Sequence, residues 1–166
     1  GDGRNNFVLG LDGSFRVAAD DYLTFKWAQS TTGEDGETGF AASRMRAQVS
    51  WERRTIEGVG ELLKLGHAGS EFRPELGVQG RYGATWVFGE LRYGRLHPAP
   101  KALYRDSFEL YGYTVRRQAD GALESARIAP VWVFETKSGW GGRISPRHSH
   151  EDLTDSFELA PGVAIP

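Results

Sequence analysis

Cysteine is absent from the 166 residues, and methionine occurs once. Without a thiol the chain forms no disulfide, builds no zinc–thiolate site and has no cysteine nucleophile. Many envelope barrels also do without cysteine, so this absence does not locate the protein. A charge excess is missing too: 20 Lys+Arg stand against 22 Asp+Glu. Nucleic-acid surfaces normally show a basic excess, and a polybasic membrane tether needs a cluster of cations. Neither class fits. No apolar run approaches the roughly 20 residues of a membrane-crossing helix. Catalytic signatures are lacking as well. Gly58-Val59-Gly60 continues into Glu61-Leu62-Leu63 without the third glycine of a dinucleotide fingerprint. No Gly-x-Ser-x-Gly or phosphate loop occurs, and acidic pairs such as Asp20-Asp21 sit at turns, where Asp is favoured by the backbone. The expectation is a protein that is not an enzyme and carries no cofactor.

What is abundant is glycine (22 residues) and aromatic side chains (12%), a composition of strands and turns. Period-2 alternation recurs along the chain. Phe7, Leu9, Leu11, Gly13, Phe15 and Val17 share one parity; Leu23, Phe25 and Trp27 follow, then Ala41, Ser43, Met45, Ala47, Val49 and Trp51. Tyr82 to Leu96 reads as extended, with Tyr82, Ala84, Trp86 and Phe88 on one side, and Asp106 to Arg117 as another strand before a turn at Ala119-Asp120-Gly121. From Ala126 to Ile144 one uncharged face carries Trp132, Phe134 and Trp140. Read as a single strand it spans roughly 60 Å, with Pro130 marking a bulge or an edge position. Glu61-Leu62-Leu63-Lys64-Leu65 has helical propensity but is read as strand from its context. Asp155 to Leu159 opens a further strand. The length suits one domain over residues 1–166. The expected fold is an all-β antiparallel meander of seven or eight long strands, forming a curved sheet or a small up-and-down β-barrel.

Gly69-Ser70-Glu71-Phe72-Arg73-Pro74-Glu75-Leu76-Gly77-Val78-Gln79-Gly80-Arg81, the opening Asn6-Phe7-Val8-Leu9-Gly10-Leu11-Asp12-Gly13-Ser14-Phe15-Arg16, and Trp27-Ala28-Gln29-Ser30 together carry a resemblance. They are similar to the C-terminal barrel region of the DUF5916 family, bacterial envelope proteins with an N-terminal domain similar to family 9 carbohydrate-binding modules. The most specific part is Phe-Arg-Pro-Glu-Leu-Gly; Val78 stands where such proteins commonly have Phe. The resemblance implies a piece of that barrel without its carbohydrate-binding domain, and it transfers no catalytic residue. The opening Gly1-Asp2-Gly3-Arg4 reads as that of a mature secreted protein or of an internal fragment.

Few constellations carry chemistry. His148 and His150 project to one side of an extended segment, with Glu151, Asp152 and Asp155 nearby. Two imidazoles and a carboxylate are metal-ligand types, yet a solvated loop is the better reading. Glu34-Asp35-Gly36-Glu37 offers oxygen ligands without the spacing of a calcium loop and reads as a charged hairpin tip. Trp27, Trp51, Trp86, Trp132 and Trp140, with Phe134, are expected on the apolar faces of their strands. There they suit a lipid-interface girdle, a core, or a protein interface.

Three functions follow, all placed in the periplasm or outer membrane of a Gram-negative bacterium. The leading one is a structural or accessory subunit that docks its sheet on a protein partner in a larger membrane-bound complex, of which a photosynthetic reaction centre with its cytochrome is one example. The reason is that open sheet edges must be covered. The second is an outer-membrane β-barrel segment in transport or anchoring, strained by Glu90 and Arg92 on the face assigned to Trp86 and Phe88 and by the apolar Ala129, Val131 and Val133 on the supposedly wet face near Trp132. The third is a carbohydrate-binding module. No nucleic-acid partner is expected.

Overall fold

The computed structural model describes residues 6–32, 40–74, 81–99, 101–152, 157–160 and 163–165. The alternating stretches become β1 (Asn6–Ala18), β2 (Asp21–Thr32), β3 (Met45–Arg53), β4 (Gly58–Ala68), β5 (Ala84–Leu96), β6 (Leu103–Arg117), β7 (Leu123–Thr136), β8 (Gly141–Ile144) and β9 (His148–Glu151). They form one antiparallel sheet in chain order from β1 to β8, with β9 also on β7. A separate hairpin joins β10 (Phe157–Ala160) to β11 (Val163–Ile165). Among the described residues the only helical element is the 3-10 turn Ala42–Arg44. The all-β antiparallel meander is therefore as expected. The barrel alternative is not: the curved sheet stays open, and among the described residues β1 pairs only with β2 and the last strand only with β7.

Two local readings resolve on tertiary context. The Leu-rich stretch 61–65 lies within β4, bonded on both sides, because pairing with β3 and β5 outweighs a weak helical preference. The run from Ala126 to Ile144 is two strands rather than one. Thr136 caps the reversal between them: its hydroxyl accepts from the Trp140 N–H, and its own N–H donates to the Trp140 carbonyl.

Pro130 explains the split of the last strand. Trp132 pairs with Ile144 and Ile128 with His148, so the residue numbers of each pair add to 276 on both sides of the gap. β8 and β9 are thus one strand in one register. The missing rungs lie where Pro130 and Pro146 face each other, and neither has an N–H to donate. The sheet is in effect an eight-strand meander.

Its connections are unequal at the two rims. One rim carries the connections 19–20, 54–57, 97–102 and 137–140; the other carries 33–44, 69–83 and 118–122. At the first rim Ile56 folds over the sheet, its carbonyl filling the space where a Cβ at Gly94 would sit, so Gly94 must be glycine. At the second, the N–H of Arg73 donates to the Ser30 hydroxyl and the neighbouring Phe72 is buried. Both rims fold over the same face.

No second layer covers the other face. The accessible surface is 11401 Å², against roughly 8,200 Å² for a compact 18.4 kDa monomer. Buried apolar residues are few among those described: Ala68, Phe72, Ala84, Val115, Ala129 and Val131.

Candidate functional site: two unlike faces of one sheet

Strand pairing assigns each side chain to a face, since paired residues share a face and neighbours along a strand do not. One row across the sheet reads Phe15, Leu23, Trp51, Leu63, Gly89, Gly112, Ile128, His148. The row behind it, on the opposite face, reads Ser14, Thr24, Ser50, Lys64, Phe88, Tyr113, Arg127, Ser149. The first face is the more apolar and the second the more polar, though the second also carries Trp86, Phe88 and, on β7, Ala129, Val131 and Val133.

On β4 to β7 the apolar face is the more exposed one. Of 23 exposed large hydrophobic residues, sixteen lie on the apolar face, including Leu11, Leu63, Leu91, Phe108 and Ile128. On β5 the apolar-face residues Val87, Leu91 and Tyr93 are exposed, whereas Trp86, Phe88, Glu90 and Arg92 behind them are half-buried. The apolar face is not free of charge: Glu61 pairs directly with Leu91, and Asp21, Arg53, Arg95 and Asp106 also lie on it. Arg53 donates to both oxygens of Asp21 at 2.7 and 2.9 Å and lies 4.0 Å from Glu61. Buried Asp106 accepts from Arg95 at 3.0 and 2.5 Å, from His97 Nε2 at 2.9 Å and from the Trp132 indole at 3.2 Å. A carboxylate in that many bonds is fully satisfied. Between the rims the face is uncharged on β5 from Thr85 to Tyr93, about 27 Å along the strand. Gly89 pairs with Gly112 and opens a trough of about 810 Å³ beside Leu63, Leu91, Leu110 and Ile128.

Comparison with family models, curated proteins and solved structures returns no match.

Trp27, Trp51, Trp132 and Phe134 share the apolar face by register, and Trp132 lies against Phe134 with ring centroids 4.8 Å apart. Trp86 does not join them. It projects from the polar face, where its indole lies flat across Gly66: a Cβ there would come within 2.0 Å of the ring. Phe25 covers Gly13 and Phe134 covers Gly142 in the same way, as aromatic rings do when they shield strand glycines. Trp140 sits in the turn before β8 and is 76% exposed. Glu90 and Arg92, thought to interrupt an apolar face, belong to the polar face with Trp86, so that objection to a lipid-facing band falls away; Ala129, Val131 and Val133 do lie on the polar face, with Ala129 and Val131 buried there.

His148 and His150 stand on the apolar side of β9, but their acidic neighbours turn elsewhere. Glu151 lies 3.7 Å from Arg81, and Asp152 pairs with Arg117 at 3.0 Å. Among the described residues no group of three His, Asp or Glu side chains is placed to hold a metal. Asp155 and the segment from Glu34 to Glu37 lie outside the described residues.

The polar face carries a ladder of cations on rings. Arg46 lies 5.6 Å from the centre of Trp86, Lys64 5.5 Å from Phe88 and Arg127 5.4 Å from Tyr113. These pairs and the Asp106 node escaped the reading of the sequence. The one visible sign of the node was a charged residue on the parity of Phe108 and Leu110.

Proposed function

We propose that this chain forms part of the wall of a transmembrane β-barrel in the outer membrane, its apolar face toward lipid and its polar face toward a wetted interior. One observation carries the reading: on β4 to β7 the large apolar side chains of one face are exposed while the face behind them is half-buried or buried. In water, fully burying one such side chain is worth about 1.5–3 kcal/mol. Leaving sixteen of them half exposed forgoes roughly 15 kcal/mol, as much as a whole domain's stability. Lipid on that face recovers this term.

Further features agree. The uncharged stretch of β5, tilted by about 40°, is about 21 Å tall, near the 25 Å band of barrel exteriors. Tyr93, Phe108, Trp132 and Phe134 cluster toward the rim of short turns, as an interfacial girdle would. Barrels join short periplasmic turns to longer outer loops, and the two rims differ in that sense. The resemblance to the DUF5916 barrel region points the same way. No helix among the described residues is long and apolar enough to cross a membrane, which has no bearing on crossing by strands.

The test is physical. The purified chain should enter the detergent phase on phase separation, insert into phospholipid vesicles and run with heat-modifiable mobility on a gel. A monodisperse monomer in detergent-free buffer would refute the proposal. The second reading is an accessory subunit whose apolar face seats on a protein partner within a membrane complex. The trough at Gly89 and Gly112 favours it, because a partner's ridge would fill such a depression. Native co-purification of a stoichiometric partner that protects this face from a lipid-soluble label would select it.

A further inference from the structure

Between β1, β2 and β3 lies a pocket of about 650 Å³ lined by the polar-face residues Asp12, Lys26, Arg46 and Gln48 with Gly10 and Ala28, and by Leu11 and Trp27 of the same strands. Register places the six polar-face residues together. Asp12 pairs with Lys26, Lys26 with Gln48, Gly10 with Ala28 and Ala28 with Arg46. Gly10 and Ala28 leave room above the backbone that larger side chains would fill. Arg46 is held in position by the indole of Trp86, which itself needs Gly66 beneath it. Among the described residues neither Lys26 nor Arg46 has a carboxylate within ion-pair distance, so two cations face the pocket against the single charge of Asp12.

We propose that this pocket binds a sugar bearing a carboxylate. Lys26 and Arg46 supply charge-assisted hydrogen bonds to the acid group, as ammonium and guanidinium groups do. Asp12 accepts from ring hydroxyls, and Gln48 both donates and accepts. A bare anion would leave Asp12 facing like charge, and a neutral sugar would leave both cations without an anionic partner. The inference takes the polar face as the wetted one and holds whether lipid or protein covers the apolar face.

The experiment is calorimetric titration of the full chain in detergent micelles with digalacturonate, digalactose and sodium acetate. Digalacturonate should saturate a single site, with digalactose and acetate each at least tenfold weaker. K26Q and R46Q should each weaken digalacturonate by about tenfold, the equivalent of one charge-assisted bond, while K137Q in the β7–β8 turn leaves it unchanged. W86F, which keeps a ring under Arg46, should retain most of the affinity even if W86A fails to fold. Equal binding of digalactose, equal binding of acetate, no binding at all, or K26Q and R46Q with full affinity would each overturn the proposal. Micelle insertion is read separately by gel mobility, so loss of the sugar site and loss of the membrane reading are told apart.

Discussion

Leu91→Arg separates a lipid-facing sheet from a water-facing one. Leu91 lies mid-height on β5, on the apolar face between Gly89 and Tyr93, and is 55% exposed. Against water this is an ordinary surface site, where substitutions usually change stability by no more than about 0.5 kcal/mol. Against lipid, an arginine near the midplane costs about 2–4 kcal/mol, and the lost leucine surface adds about 1 kcal/mol. Glu61 lies directly across from position 91 and can pair with the arginine, so the two environments predict effects differing by roughly 2 kcal/mol. The assay is urea titration of protein folded in phospholipid vesicles, followed by tryptophan emission. Glu90→Gln, one residue away on the polar face, serves as the matched control and should stay within about 0.5 kcal/mol. If L91R unfolds at the wild-type urea concentration, or raises the yield of soluble monomer without detergent, the lipid assignment is wrong.

Other perturbations follow from particular contacts. Gly66→Ala places a Cβ where the Trp86 ring lies and should cost about 1–3 kcal/mol, with a shift in Trp86 emission seen by difference against W86F. Asp106→Ala removes the acceptor shared by Arg95, His97 and Trp132; a loss of about 3 kcal/mol is expected, read as a lower urea midpoint. Asp120 lies in the β6–β7 turn, where the Ala122 N–H and then Arg117 hold its carboxyl below the usual carboxylate range. Its folded-state value is depressed, so its contribution is present above the ordinary carboxylate pKa near 3.9 and fades as pH falls further. Urea midpoints between pH 6 and pH 3 should fall less steeply for D120N than for wild type.

Much of the fold was legible because a half-buried strand imposes period 2 on its sequence, and β1, β2 and β3 carry that period without interruption. β5 was harder. It has Trp86 and Phe88 on one parity and Val87, Leu91 and Tyr93 on the other, so apolarity alone did not say which face was which. Only the pairing of Gly66 with Trp86 fixes the parity, and that is a long-range contact. The turn before β8 was hidden for a related reason. Trp132, Phe134, Gly142 and Ile144 do share a face, and the four turn residues keep the count in step, so the reversal left no break in the pattern. Lys26 and Arg46 gave no local sign of a pocket. They are 20 positions apart and meet only because β2 and β3 are neighbours.

The facing prolines at 130 and 146 divide the outermost strand into two latches, Gly141–Ile144 and His148–Glu151, each held to β7 by four paired residues. So short a piece holds weakly by itself, and the N–H-free span between them lets one half lift while the other stays seated. Amide protons on the two halves would then exchange through separate openings. Whichever latch lifts uncovers part of the β7 backbone, so the meander can admit a new strand there without unzipping the seven strands behind it.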